Sequence, residues 1–250
     1  MNSGRSRHIA ALAVLTCSTL LMPRPVALHA DDPSPEVTLE RFLASRTRRA
    51  PSYRAFRRLE ATSTKLHASG WVEAVTEFDA EAGLRVRILA EEGSGRIRGV
   101  LKGVLDGERQ ATLPGKSRAA ALTMENYEFE ASPANADGLV AVRVKPRRRE
   151  SALVDGTIFV TANDGDLVRV EGRLAKSPSF WTRSVDVVRR YERRAGTPML
   201  VEVRSHADVK FAGPSEFVMR YAYESVNGQA ANDVPPTILA RLTDAPRIPR

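Results

Sequence analysis

The chain has 250 residues, with 38 Lys and Arg against 30 Asp and Glu, 42% hydrophobic residues and a single cysteine. That length allows one large domain or two small ones, and the hydrophobic share excludes wholesale disorder. One cysteine excludes an intrachain disulfide framework and a cysteine-rich zinc site.

Residues 1–30 read as a secretory signal peptide. Arg5, Arg7 and His8 form a basic start, Ile9 to Met22 an apolar stretch, and Ala27-Leu28-His29-Ala30 a small-residue cleavage site before Asp31-Asp32-Pro33. The apolar stretch is short for about 30 Å of hydrocarbon, and Pro23 and Pro25 follow at once. An uncleaved N-terminal anchor is the other reading. Cys17 follows Val14-Leu15-Thr16 in the middle of the stretch, which is not a lipidation context. Cleavage after Ala30 predicts a periplasmic or secreted chain without cysteine, whose histidines are His67 and His206. No later apolar run is long, so the mature chain is expected to be soluble.

Ser34-Pro35-Glu36 opens a short helix. Val37, Leu39, Phe42 and Leu43 share a face of it, and Arg46-Thr47-Arg48-Arg49-Ala50-Pro51 closes it with basic residues at its negative end and a proline stop. From Tyr53 the period becomes two. One strand is expected over Tyr53–His67, with a turn at Ser69-Gly70. Val72, Ala74, Thr76 and Phe78 then alternate with Trp71, Glu73, Val75 and Glu77. After a turn at Glu81-Ala82-Gly83, Leu84, Val86, Ile88 and Ala90 alternate with Arg85, Arg87 and Leu89. Such short turns demand antiparallel pairing.

Gly93-Ser94-Gly95 breaks the pattern. Ile97, Val100, Leu101, Val104 and Leu105 follow at helical spacing and mark the best amphipathic helix of the chain. A second, shorter helix is expected over Ser117–Asn126. The sheet then resumes with Val140, Val142 and Val144, and the basic corner Pro146-Arg147-Arg148-Arg149 leads to a strand at Ile158, Phe159 and Val160. Asn163-Asp164-Gly165-Asp166 is a turn. Further strands carry Val168, Val170 and Leu174, then Val185, Val187 and Tyr191, then Met199 to Phe211, then Phe217, Met219, Tyr221 and Tyr223. Ser177-Pro178-Ser179, Ala195-Gly196-Thr197-Pro198 and Gly213-Pro214 separate them.

About nine long twisted strands, most paired with sequence neighbours, tend to curl on themselves. The two inserted helices would cover the concave side. The fold class expected is therefore α+β: a curved antiparallel sheet, or half-open barrel, with a helical lid. It forms a single domain over residues 31–228, followed by a proline-rich flexible tail over 229–250.

No catalytic residues are expected. Ser205-His206-Ala207-Asp208 has the letters of a nucleophile relay, but Ser205 and His206 point to opposite faces of a strand. The chain lacks a Gly-x-Ser-x-Gly elbow and a His-Glu-x-x-His pair. No cofactor or metal is implied. Asn163 to Asp166 resembles part of a calcium loop without its closing glutamate, and Gly93-Ser94-Gly95 lacks the Gly-Lys-Ser/Thr ending of a phosphate loop. The arginines alternate with acids along the strands, so a solvated face is expected and no nucleic-acid partner. The Arg46–Arg49 and Arg147–Arg149 clusters suit transient contact with anionic lipid headgroups.

The order of segments, together with Leu153–Thr161 (LVDGTIFVT), Asp166–Leu174 (DLVRVEGRL) and Phe217–Tyr223 (FVMRYAY), resembles the LolA/LolB/RseB-like family of bacterial periplasmic proteins. The resemblance covers roughly Glu36 to Asn227 and lies at the level of fold. It implies a non-enzymatic periplasmic binding protein for lipid, acyl chains or lipoproteins, a possible carrier in envelope transport. The lid would be the Ile97, Val100, Leu101, Val104 and Leu105 face. The pocket walls would be Val72, Phe78, Val86, Ile88, Val185, Val187, Val201, Phe217, Met219 and Tyr221. A packed core made by the same residues is the other reading. Two alternatives to a carrier stand beside it: an RseB-like sensor that binds an envelope protein, and a secreted hydrolase using carboxylates alone.

Overall fold

A computed structural model of the chain describes residues 33–46, 50–113, 120–135 and 137–243. The expected signal peptide, residues 47–49 of the first basic cluster and residues 244–250 lie outside them. The elements in order are α1 (Pro35–Arg46), β1 (Tyr53–Ser63), β2 (Ala68–Asp79), β3 (Gly83–Gly93), α2 (Gly95–Ala111), β4 (Tyr127–Ala134), β5 (Leu139–Pro146), β6 (Val154–Thr161), β7 (Leu167–Leu174), β8 (Thr182–Arg194), β9 (Thr197–Val209), β10 (Gly213–Val226), β11 (Gln229–Ala230) and α3 (Pro236–Thr243).

All strands join one antiparallel sheet in the order β3-β2-β1-β10-β9-β8-β7-β6-β5-β4, with β11 added to β10. Every pairing on this path is between sequence neighbours except β1 with β10. The sheet is not closed, because β3 and β4 are its edges. One buried cluster nevertheless runs from Ile97, Leu101 and Leu105 of α2, through Leu59, Met219, Val203, Val187, Val170, Ile158 and Val142, to Phe42 of α1. A sheet whose two halves share one core must curl around what it holds. The α+β class and the open, helix-covered antiparallel sheet are as expected from the sequence.

Three features differ from the sequence reading. First, β1 ends at Ser63 and the chain turns at Thr64–His67, not at Ser69-Gly70. His67 takes a left-handed φ of 45°, and its N–H donates to Thr64 O at 3.2 Å. Gly70 serves strand contact instead. It pairs with Gly93, where a Cβ would fall 2.4 Å from Ser69 O. The backbones approach that closely because β3 gives way to α2 at this point.

Second, the described part of the second expected helix, residues 120–126, forms turns, with Asn126 Nδ2 donating to Ala121 O at 2.7 Å. The other cover of the inner face is α1. Its Phe42 meets Phe129 edge-on at 6.4 Å, and its buried Thr38 donates to Ala162 O at 2.9 Å. Thr38 replaces Val37 on the packed face, and Val37 is exposed.

Third, where the sequence predicts a loose tail, residues 229–243 form β11 and α3. Pro236 suits the first helical position, whose N–H has no intrahelical partner. Val234 and Ile238 cover Phe56 and Val75, which point away from the inner face. Asp233 holds this segment down by accepting from Arg194 Nε at 2.8 Å and from the Tyr223 N–H at 3.3 Å. Both faces of β2 are therefore buried from Val72 to Glu77, which blurs the expected alternation. No helix among the described residues is long and apolar enough to cross a membrane.

Candidate functional site

The inner face beneath α2 combines an apolar wall with one buried charge. Residues 53, 55, 57, 59 and 61 of β1 share a phase, and Ala55 and Leu59 are fully buried. Arg57 sits in that same phase and is 0% exposed. Its Nη2 meets Glu108 Oε2 of α2 at 2.7 Å and also contacts Met219 Sδ. Its guanidinium lies over the Tyr221 ring at 4.4 Å. Arg57 Nε and Nη1 have no hydrogen-bond partner among the described residues. Burial works against the charge, and Tyr221 and Glu108 outweigh it, so the Arg57 pKa is raised.

An aromatic group borders this arginine. Tyr53 stacks on Phe78 at 5.7 Å and meets Tyr223 edge-on at 5.6 Å, while Tyr221 stacks on Tyr223 at 5.9 Å. Burial pushes the Tyr53 hydroxyl up to about 12 and raises those of Tyr221 and Tyr223 as well. All three therefore stay neutral donors near neutral pH. Tyr223 uses its hydroxyl on Leu200 O at 2.7 Å.

Helix α2 closes the site. Ile97, Leu101 and Leu105 recur on its packed face, and Glu108 continues that stripe. Glu91 of β3 clamps the flank, meeting Arg98 at 2.6 Å and Lys102 at 3.0 Å. Beside the helix, between α2 and edge strand β3, runs an open cleft of about 530 Å³. Leu84, Val86, Ile88, Leu105 and Leu113 make its apolar lining. The outer side of α2 carries Gly99, Gly103 and Gly107, with open space around each.

Most of the residues expected to form lid and pocket do meet at this face. Val72, Ile97, Leu101, Leu105, Val187 and Met219 lie in the shared core, with Val86, Val104, Phe217 and Tyr221 packed against it. Val185 is buried. Val201 packs in a smaller cluster with Met199 and Tyr223, and Phe78 stacks on Tyr53. Ile88, on the edge strand, is 37% exposed and borders the cleft. Val100 departs from the expectation: it is 57% exposed. At about 100° per residue it stands roughly a quarter-turn from the centre of the packed stripe.

Arg57, Glu108 and Tyr53 were not among the residues expected from the sequence. A signal for two of them exists. Arg57 occupies an apolar phase of β1, and Glu108 falls three and seven residues after Leu105 and Leu101 on the helix.

A second cleft, of about 960 Å³, lies on the charged side of the sheet. Its lining includes Lys145, Arg149, Lys176, Arg204, His206 and Glu216. Ser205 pairs with Val187 and Phe217 and shares their face, whereas His206 pairs with Asp186 and Glu216. The split of Ser205 from His206 is as the strand period requires. Among the described residues, no group of three or more His, Cys, Asp and Glu side chains is placed to hold a metal ion.

His206 Nδ1 is hydrogen-bonded to Glu216, whose carboxylate raises the His206 pKa above its ordinary 6.5. The linked stabilisation is fully present below 6.5 and disappears as pH rises through the raised pKa. An NMR titration is expected to place the His206 midpoint above 6.5, and Glu216→Gln should return it toward that value.

No protein-family model and no curated protein matches the chain. Among solved structures, it is similar to a LolA superfamily protein from Nitrosomonas europaea at 13% identity and a TM-score of 0.40. The match covers 82% of this chain and 96% of that one.

Proposed function

We propose that this protein is a non-enzymatic binder of an acyl chain, carried by a lipid or a lipoprotein, that works in the bacterial envelope with α2 as a movable lid. The observation that carries this reading is Arg57: a guanidinium with no exposure, latched to the lid through Glu108, with Nε and Nη1 unpartnered. A purely structural core gains little from such a group, because an unsatisfied buried donor costs about 1–3 kcal/mol. A group that must meet a ligand when the lid moves gives it a use.

The physical chemistry of α2 supports motion. Its interior glycines at 99, 103 and 107 each destabilise a helix by about 1 kcal/mol relative to alanine. Its hold on the sheet is an apolar stripe and a few ion pairs at its edge. Lifting the helix would uncover Leu59, Val72, Ala74 and Met219, and an acyl chain would restore about 0.8 kcal/mol for each CH₂ it buries there. The freed Arg57 would face an anionic headgroup, with Tyr53 and Tyr221 as neutral donors beside it.

Gentle purification of the full chain from a periplasmic extract, followed by native mass spectrometry, tests this. Added mass matching a phospholipid or an acylated peptide is expected. A bare chain that also fails to take up a fluorescent fatty acid would overturn it. A stoichiometric complex with an envelope protein in place of a lipid would favour the sensor reading.

A further inference from the structure

We propose that one end of the sheet docks on the surface of an anionic phospholipid bilayer, with Phe180, Trp181 and Phe211 entering the interface. These rings are 77%, 51% and 65% exposed, yet they pack on one another, Phe180 to Trp181 at 5.2 Å and Trp181 to Phe211 at 5.0 Å. Lys210 Nζ lies 3.8 Å over the Phe180 ring. The patch joins the β7–β8 loop to the β9–β10 turn, and hydrogen bonds hold both in place. Lys210 N donates to Trp181 O at 2.8 Å, Thr182 N to Ser179 O at 3.2 Å, and Ser177 Oγ to Arg183 O at 2.9 Å. The rings are thus presented on a tied scaffold, which limits the ordering entropy lost on contact.

The topology adds an excess of basic side chains at this end. The hairpin turns at this end are residues 64–67, 147–153, 175–181 and 210–212, and they carry Lys65, Arg147, Arg148, Arg149, Lys176 and Lys210, against Glu125 in the connection that enters β4. Glu150 is the acid among these turn residues, and it is paired with Arg148. The described turn residues at the opposite end include Glu81, Asp137, Asp164 and Asp166, of which the last two pair with Arg193 at the end of β8. Exposed aromatic rings, one of them under Lys210, at an end of the sheet rich in cations match the interfacial and headgroup layers of an anionic membrane. A second copy of the same basic end would repel this one, which favours lipid over self-association. The inference is independent of the acyl-chain reading.

The chain holds two tryptophans, so Trp71→Phe leaves Trp181 as reporter. With full-length protein and vesicles of equal parts phosphatidylcholine and phosphatidylglycerol, Trp181 emission is expected to shift to the blue, and the protein to cosediment. Affinity should fall about tenfold or more in high salt or on pure phosphatidylcholine. Phe180→Ser combined with Phe211→Ser should weaken binding about tenfold while leaving the melting temperature unchanged, since the rings are exposed. Absence of a blue shift, or binding indifferent to the ring substitutions, would overturn the proposal. So would loss of a protein complex, rather than of vesicle binding, in the double variant.

Discussion

Gly156→Ala and Gly172→Ala are each expected to destabilise the protein by about 3–5 kcal/mol. The two glycines face each other across β6 and β7. A Cβ on Gly156 would stand 2.0 Å from Glu171 O, and one on Gly172 would stand 2.3 Å from Asp155 O. Both obstacles are backbone, so neither can rotate away. The strands would have to separate, breaking ladder hydrogen bonds beside Ile158 and Val170 in the shared core. For a domain of this size the loss corresponds to a fall in Tm of roughly 6–20 °C. Gly103→Ala is the control. It meets open space on a helix and should stabilise by about 1 kcal/mol. A Gly156→Ala protein that melts within a few degrees of the parent would show that the close approach is not required by the fold.

The second large effect is an asymmetry between two halves of one ion pair. Glu108→Ala leaves a fully buried guanidinium uncompensated, with two of its nitrogens already unpartnered. Arg57→Met removes that charge and leaves Glu108, which is 34% exposed and able to turn to water. The first change is expected to cost about 1–3 kcal/mol, the second about zero or a slight gain, because apolar replacement of a buried ion is often neutral or stabilising. Urea denaturation of both variants measures this. Binding should divide the other way. Glu108→Ala unlatches α2 and should speed uptake of a fluorescent fatty acid, whereas Arg57→Met should lose the preference for an anionic headgroup. If Arg57→Met is the more damaging to stability and leaves binding untouched, Arg57 is a structural group and the latch is wrong.

Parts of this site were open to reading from residues alone. The amphipathic period of Ile97, Leu101 and Leu105 locates α2, because a packed stripe leaves its mark every third or fourth position. Asn163-Asp164-Gly165 and Ala195-Gly196 mark hairpins because their left-handed positions are local demands; Gly165, Ala195 and Gly196 take φ of 68°, 46° and 73°. Gly70 misled for the complementary reason. Glycine signals either a turn or a close backbone approach, and the neighbouring strand decides which. The sequence does not single out Arg57, since an alternating strand pattern does not say which phase will meet a helix.

Local chemistry thus settled the α+β class, the antiparallel hairpins and the position of the amphipathic helix, all of which depend on contacts between near neighbours in the chain. Three things required the tertiary structure. The pairing of β1 with β10 sets Arg57 beside Tyr221. The choice of α1 and α3 as covers decides which faces are buried. The meeting of two remote turns gathers Phe180, Trp181 and Phe211. Each is a contact between segments distant in sequence, selected by how the curled sheet buries its apolar surface, and no periodicity within either segment encodes its partner.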